Sequence, residues 1–184
     1  MNTPNKLTLL RVIMVPLFMV FMMYDWFAYS RLVAALVFLL AFATDWLDGY
    51  LARRNNQVTN FGKIMDPLAD KMLTTAALVC LNATGDVSPW VTVIILAREF
   101  IVSGVRIAAA AEGNVIAASI WGKAKTMWQF IALTLAIICA EETLFAGIPV
   151  VGIVVDVCIW LAAALTIISG VDYLVKNAKY LSMK

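Results

Sequence analysis

Long apolar stretches alternate with short polar connections along the chain, and this pattern predicts helices that cross a membrane. A bilayer-spanning helix needs about 20 mostly apolar residues, and six stretches approach that length, the third and fifth being the shortest. These stretches are Leu7–Tyr24, Leu32–Ala52, Pro67–Leu81, Trp90–Ala111, Thr126–Ala140 and Gly152–Val175. The sequence therefore predicts an all-α, polytopic membrane protein with six transmembrane helices.

Basic residues outside these stretches fall almost entirely on one side of the predicted membrane. Nine of them lie at the two ends of the chain and in the second and fourth connections, whereas Arg31 alone lies in the first connection. Cytoplasmic segments are enriched in Lys and Arg, so both termini should be cytoplasmic and the protein should be a multi-pass protein of the cytoplasmic membrane. No cleavage signal follows the first stretch, and residues 1–184 are predicted to form a single membrane domain.

Composition narrows the chemistry that the chain can perform. Of the 184 residues, 63% are hydrophobic and none is His, which excludes His-dependent catalysis and His-ligated metal sites. The net charge of +2 does not indicate a nucleic-acid partner. Cys80, Cys139 and Cys158 lie far apart in apolar stretches, so they are predicted to be small core residues rather than metal ligands or disulfide partners.

Ten ionisable residues at or within the predicted spans indicate function. An ionised group at the centre of a bilayer costs ~2.5–3.5 kcal/mol, so such residues normally face a cavity or a partner. They are Arg11, Asp45, Asp48, Asp66, Asp70, Lys71, Arg98, Glu99, Arg106 and Asp156. For Asp156 we expect a structural hydrogen bond or a dimer contact rather than catalysis.

Four of the aspartates form two same-face pairs, at spacings i, i+3 (Asp45 and Asp48) and i, i+4 (Asp66 and Asp70). The two predicted helices are joined by a short cytoplasmic connection, so antiparallel packing would bring both pairs into one pocket. An all-oxygen cluster suits hard divalent cations, and a site for two Mg²⁺ ions, or Mn²⁺, is predicted. The alternative is that these aspartates cap helix ends or pair with nearby Lys and Arg side chains.

Small residues and one arginine flank the two pairs and indicate the kind of substrate. Gly49, Ala52 and Gly62 leave room for a ligand to approach the backbone. Arg53 can engage phosphate with its planar fork of donors. Together with the metals, these residues favour a phosphate or diphosphate substrate.

Residues Asp45 to Asp70 read D-x2-D-G-x2-A-R-x8-G-x3-D-x3-D. This pattern matches without a departure the signature of the CDP-alcohol phosphatidyltransferase family, which the chain also resembles in its length and its six predicted helices. The resemblance implies transfer of a substituted phosphoryl group from a CDP-linked donor to an alcohol, with release of CMP. It also implies a homodimer.

The resemblance implies a role for each matching position. Asp45, Asp48 and Asp66 resemble ligands of two metals, and Asp70 resembles the general base that borders the same metals. The positions that resemble the binding site of the cytidine diphosphate donor are Gly49, Ala52, Arg53 and Gly62, together with Asn5, Thr8 and Arg11 on one face of the first span. Asn5 and Thr8 could instead cap the first helix.

Two further segments resemble the bacterial branch of the family whose acceptor is sn-glycerol 3-phosphate: Ala97–Arg106 and Trp121–Thr126. An anionic acceptor needs cations, and the candidates are Arg98, Arg106, Lys123 and Lys125, with Glu99 orienting Arg98 or another cation. Cytoplasmic enrichment in basic residues would also explain Lys123 and Lys125.

The expectation is an enzyme that transfers the phosphatidyl group of CDP-diacylglycerol directly to sn-glycerol 3-phosphate, Asp70 taking the proton of the attacking hydroxyl. One alternative keeps the chemistry but uses inositol phosphate, serine or phosphatidylglycerol as the acceptor. Another is a cation transporter or channel, because intramembrane carboxylates also line ion pathways. The clustering of the carboxylates at one membrane face argues against transport, as does the lack of an evident inverted repeat.

Overall fold

The protein is described here from a computed structural model. The structure describes residues 3–54, 60–111, 113–114, 116, 119–145 and 147–178, and for residues 3–7, 45–54, 60–67 and 70 it describes the backbone alone. Within these residues the chain forms seven helices and no strand. The all-α prediction is therefore confirmed for the described part of the chain.

Six of the helices are long and follow the six predicted stretches in order. The helices are α1 (Thr3–Met23), α2 (Ser30–Arg54), α3 (Asn60–Ala83), α4 (Pro89–Ala111), α5 (Ile120–Cys139), α6 (Glu142–Phe145) and α7 (Pro149–Lys176). The single-turn α6 was not predicted. The predicted start of α3 was seven residues late and that of α5 six residues late, because hydropathy detects apolar residues and not helix. The Ser119 hydroxyl caps α5 by accepting from the Gly122 amide at 3.0 Å.

The helices pack around one main apolar core. α1 packs against α2 and α3, α5 packs against α7 and α2, and α4 packs against α7. Phe130 of α5 stacks on Phe42 of α2, with 3.6 Å between the ring centroids, and also on Phe38 at 5.5 Å. Cys80 is buried in this core and the other two cysteines are half-buried against it, all three as free thiols, as the sequence predicted.

Much of the outer surface that the structure describes is apolar. Large hydrophobic side chains are exposed along α7, among them Ile153, Val157, Trp160 and Ile168. Among the described residues, α7 is the one helix that is both long and apolar enough to cross a bilayer by composition. Shorter apolar runs lie at Thr8–Met23, Ser30–Thr44 and Lys71–Ala83. Six membrane spans and cytoplasmic termini therefore stay predictions.

Arg31 contacts both the connection between α1 and α2 and the residues that follow α5, at one end of the bundle. It lies near the start of α2, and its Nη1 donates to the Ala140 carbonyl at the end of α5. Its Nε also lies 3.8 Å from Asp25 Oδ1, and its Nη1 lies 3.9 Å from Glu142 Oε1. The one cation predicted on the far side of the membrane thus has a structural role between α2 and α5.

Candidate active site

The two aspartate pairs lie at adjoining ends of neighbouring helices. Asp45 and Asp48 lie in the last turns of α2, and Asp66 and Asp70 in the first turns of α3. Only five residues separate the two helices, which contact each other, and five residues limit the gap between the helix ends to about 20 Å.

The two pairs also lie at matching depths. Asp48 is six residues before the end of α2 and Asp66 six residues after the start of α3, or about 9 Å along each axis. Asp45 and Asp70 lie nine and ten residues from the same ends, or about 14 Å. The backbone therefore supports one pocket built from both pairs.

For these aspartates, and for the predicted donor residues Gly49, Ala52, Arg53, Gly62 and Asn5, the structure describes the backbone alone. Among the residues whose side chains the structure describes, no three or more metal-ligating side chains come together. The donor set itself, four carboxylates on two contacting helices, fits a hard divalent cation. The metal site stays a prediction.

Arg11 and Thr8 of α1 face the interior, as a lining role would require. Arg11 is completely buried, and its Nε donates at 3.3 Å to the carbonyl oxygen of Ala41, one turn before Asp45 in α2. Thr8 is also buried, and it lies five residues after the start of α1. Thr8 therefore lies inside the helix and does not cap its N-terminus, which excludes the alternative to a donor-site role for this residue.

Arg98 and Lys125 meet at one carboxylate. Glu99 Oε1 of α4 accepts from Lys125 Nζ of α5 and, at 3.1 Å, from Arg98 Nη1. Lys125 is only 2% exposed, although lysine is almost never fully buried without a partner. The carboxylate of Glu99 supplies that partner and also contacts Arg98. That Glu99 orients these cations for a substrate stays a prediction.

Lys71 of α3 contacts α4 close to Glu99. It directly follows Asp70, and its Nζ donates to Ser103 Oγ of α4. Ser103 in turn donates to the backbone carbonyl of Glu99 at 2.6 Å. We call Lys71, Arg98, Glu99 and Lys125 the cation cluster. It joins three helices, and its member on α3 is the sequence neighbour of the predicted general base.

The other two predicted acceptor cations lie apart from the cation cluster. The Arg106 guanidinium carbon lies 5.8 Å above the centre of the Tyr173 ring, a cation–π contact between α4 and α7. Lys123 is exposed on α5. It is two residues from Lys125, a spacing that places the two side chains on different faces of a helix.

Sequence reasoning missed two hydroxyls that hold the cations. Ser103 accepts from Lys71, and Ser169 of α7 accepts from Arg98 Nη2 at 2.6 Å. Their signal in the sequence is weak, because a serine is common in apolar helices and its partner here is 32 or 71 positions away.

Asp156 lies far from the cation cluster. Its side chain is exposed and lines a cavity at the opposite end of the bundle.

Comparison with known proteins supports the sequence signature. The family model for CDP-alcohol phosphatidyltransferase matches residues 1–168. The CDP-diacylglycerol–glycerol-3-phosphate 3-phosphatidyltransferase of Bacillus subtilis strain 168 is 40% identical over 187 residues, covering 96% of this chain and 95% of that protein.

Two further relatives cover most of the chain. The protein with the same name from Rickettsia bellii is 37% identical, covering 97% of each chain. A probable phosphatidylglycerophosphate synthase of Mycobacterium tuberculosis strain H37Rv is 42% identical, covering 95% of this chain and 81% of that protein.

Proposed function

The chain belongs to the CDP-alcohol phosphatidyltransferase family, and on that premise we propose that it transfers the phosphatidyl group of CDP-diacylglycerol to sn-glycerol 3-phosphate. The products are phosphatidylglycerophosphate and CMP. Relatives named for this reaction match nearly the whole chain. The structural observation that carries the choice of acceptor is the buried cation cluster.

The charge of the cation cluster suits a phosphate monoester. The cluster holds three cations, Lys71, Arg98 and Lys125, and one carboxylate, Glu99. A phosphate monoester carries a charge of about −1.5 to −2 at pH 7, which two excess positive charges match. Serine carries no net charge at this pH. Inositol phosphate carries the same charge as glycerol 3-phosphate, so experiment has to separate these two.

The reaction requires a base and a hydroxyl near the diphosphate. Asp70 takes the proton of the acceptor's 1-hydroxyl as its oxygen bonds to the β-phosphorus, while the bond from that phosphorus to the bridging oxygen breaks and CMP leaves. Lys71 directly follows Asp70 in α3 and belongs to the cation cluster. One helix therefore carries both the proposed base and one of the cations proposed to bind the acceptor phosphate.

Asp45, Asp48, Asp66 and Asp70 are the residues that would hold two Mg²⁺ ions. Bound there, such ions neutralise the diphosphate and the charge that develops on the departing phosphate. Arg11, Thr8, Asn5, Arg53 and the small residues Gly49, Ala52 and Gly62 form the donor site in this proposal. The burial of Arg11 and Thr8 and the hydrogen bond from Arg11 to the Ala41 carbonyl of α2 support it.

The proposed setting is the cytoplasmic membrane. Six long helices cross it, residues 1–184 act as one domain, both termini and the active site face the cytoplasm, and two copies form a homodimer. The exposed apolar side chains of α7 support a lipid or protein environment for the bundle. A cytoplasmic site gives the water-soluble acceptor direct access, while the acyl chains of the donor stay in the bilayer.

CMP release by the detergent-purified protein tests the proposal. CDP-diacylglycerol and Mg²⁺ are supplied with glycerol 3-phosphate, inositol phosphate, serine or phosphatidylglycerol, and a parallel reaction contains EDTA. We expect release that depends on glycerol 3-phosphate and on the metal. Release with another acceptor alone would refute the acceptor assignment. No release with any acceptor would refute the reaction, and cation uptake into proteoliposomes would then test the transport alternative.

A further inference from the structure

Arg98 is held by groups on two helices while part of its guanidinium stays available. The side chain is 13% exposed; Nη1 donates to Glu99 and Nη2 to Ser169 Oγ at 2.6 Å. A guanidinium has five N–H donors. The buried Nε has no hydrogen-bond partner among the described groups. The protein therefore orients this fork of donors without using all of them.

Two consecutive residues of α7, Ser169 and Gly170, pack against the Arg98 side chain. Ser169 is completely buried, so Arg98 rather than water is the partner of its hydroxyl. At the next residue, Gly170, an added Cβ would lie 3.1 Å from Arg98 Cγ, a distance at which the arginine stem would have to shift. Gly152 of the same helix differs, because a Cβ there would meet nothing within 4 Å.

We propose that Ser169 and Gly170 form a seat that fixes the Arg98 guanidinium for the phosphate of the acceptor. This inference rests on the proposed function. It makes the last helix a determinant of acceptor affinity, although α7 carries no part of the family signature. Ser169 and Gly170 are positioning residues, because they act through Arg98 and need not touch either substrate.

The first test removes the hydroxyl. Ser169→Ala should raise the apparent KM for glycerol 3-phosphate about tenfold, the size expected for losing a hydrogen bond to a charged group. The kcat and the KM for CDP-diacylglycerol should change less than about threefold, because neither Ser169 nor Gly170 belongs to the proposed donor site. Ser169→Thr keeps the hydroxyl and should restore most of the affinity. Thr166→Val is the matched control, since the buried Thr166 hydroxyl donates to the Ala162 carbonyl of its own helix.

The second test adds a methyl group beside the Arg98 stem instead of removing the serine hydroxyl. Gly170→Ala should raise the same KM about tenfold by pushing the Arg98 stem, and Gly152→Ala should leave it unchanged. This pair keeps the inference testable if Ser169→Thr is too large for its site. Thermal unfolding in detergent is measured for all five variants.

The outcomes separate the seat from the reaction. A rise in the KM for glycerol 3-phosphate in Ser169→Ala and Gly170→Ala alone supports the seat. An unchanged KM, or a fall in kcat that follows a fall in melting temperature, overturns the seat and leaves the proposed function intact. A wild-type protein that releases no CMP with glycerol 3-phosphate overturns both.

Discussion

Buried charge at a few positions decides what the site can bind. Glu99 accepts from Lys125 and from Arg98, so one carboxylate keeps two cations in place and still leaves the cation cluster positive. Lone buried charges are costly, and removing one partner of a buried ion pair typically costs 3–5 kcal/mol. Glu99 is therefore expected to serve stability as well as acceptor binding.

We expect Glu99→Gln to destabilise the protein by about 2–4 kcal/mol, because Lys125 loses its carboxylate in a buried environment. Thermal or denaturant unfolding in detergent measures this. Glu142→Gln is the control, since the Glu142 side chain is 85% exposed and its distance to Arg31 is 3.9 Å; exposed pairs are worth about 0–1 kcal/mol. Equal losses in the two variants would contradict a special role for Glu99.

Lys125 and Lys123 offer a matched pair for the acceptor site. Lys125→Ala should raise the KM for glycerol 3-phosphate about 10- to 100-fold, because a charge-assisted contact in a buried site is lost. Lys123→Ala removes the same charge from an exposed position two residues away and should change it less than about threefold. Steady-state CMP release measures both. Similar effects would mean that net positive charge matters here and not the cation cluster.

Four of the long helices contribute to the site near one end. α2 and α3 bring the aspartates to their adjoining ends, α5 brings Lys125 within its first two turns, and α7 brings Ser169 within its last three. The middle of α4 supplies Arg98 and Glu99. The aspartate signature and the cation cluster are joined through α3, which carries both Asp70 and Lys71.

We expect Asp70→Asn to abolish turnover, with a loss of at least about 100-fold, since removing a general base typically costs 10²- to 10⁴-fold. Binding of CDP-diacylglycerol should persist, and its stabilising effect on thermal unfolding measures that. Asp156→Asn, at the opposite end of the bundle, should keep wild-type activity. Substantial residual turnover in Asp70→Asn would remove Asp70 from the role of base.

Hydropathy and spacing anticipated much of the architecture because they report local properties. Six apolar stretches became six long helices, and Thr8 and Arg11, spaced by three, are both buried. The sequence could not separate Arg98 from Arg106, since both are arginines in one apolar helix. The fold separates them: Glu99 and Ser169 hold Arg98, and Arg106 lies over Tyr173. Such partners depend on packing between distant helices, which local patterns do not contain.

Contacts at the two ends of the bundle bear on how the whole molecule crosses the membrane. The start of α5 and the end of α7 meet near Arg98, since Gly122 and Ser169 both approach its Nη2. The end of α5 and the start of α7 line one cavity, which contains Ala140 and Pro149. α5 and α7 are therefore antiparallel, as alternating spans require. The signature and the cation cluster lie at the end of the bundle that is predicted to be cytoplasmic.

Labelling from one side of the membrane tests this orientation. With the three native cysteines replaced by serine, Asn114→Cys between α4 and α5 and Glu142→Cys after α5 provide two exposed reporters. A membrane-impermeant maleimide added outside intact spheroplasts should label Glu142→Cys and should reach Asn114→Cys only after permeabilisation. Both variants must retain CMP release, which shows that the reporters sit in a folded enzyme. Labelling of both from the outside would contradict a span by α5, whereas the reverse pattern would keep the alternating spans and place the active site on the outer face, away from its water-soluble acceptor.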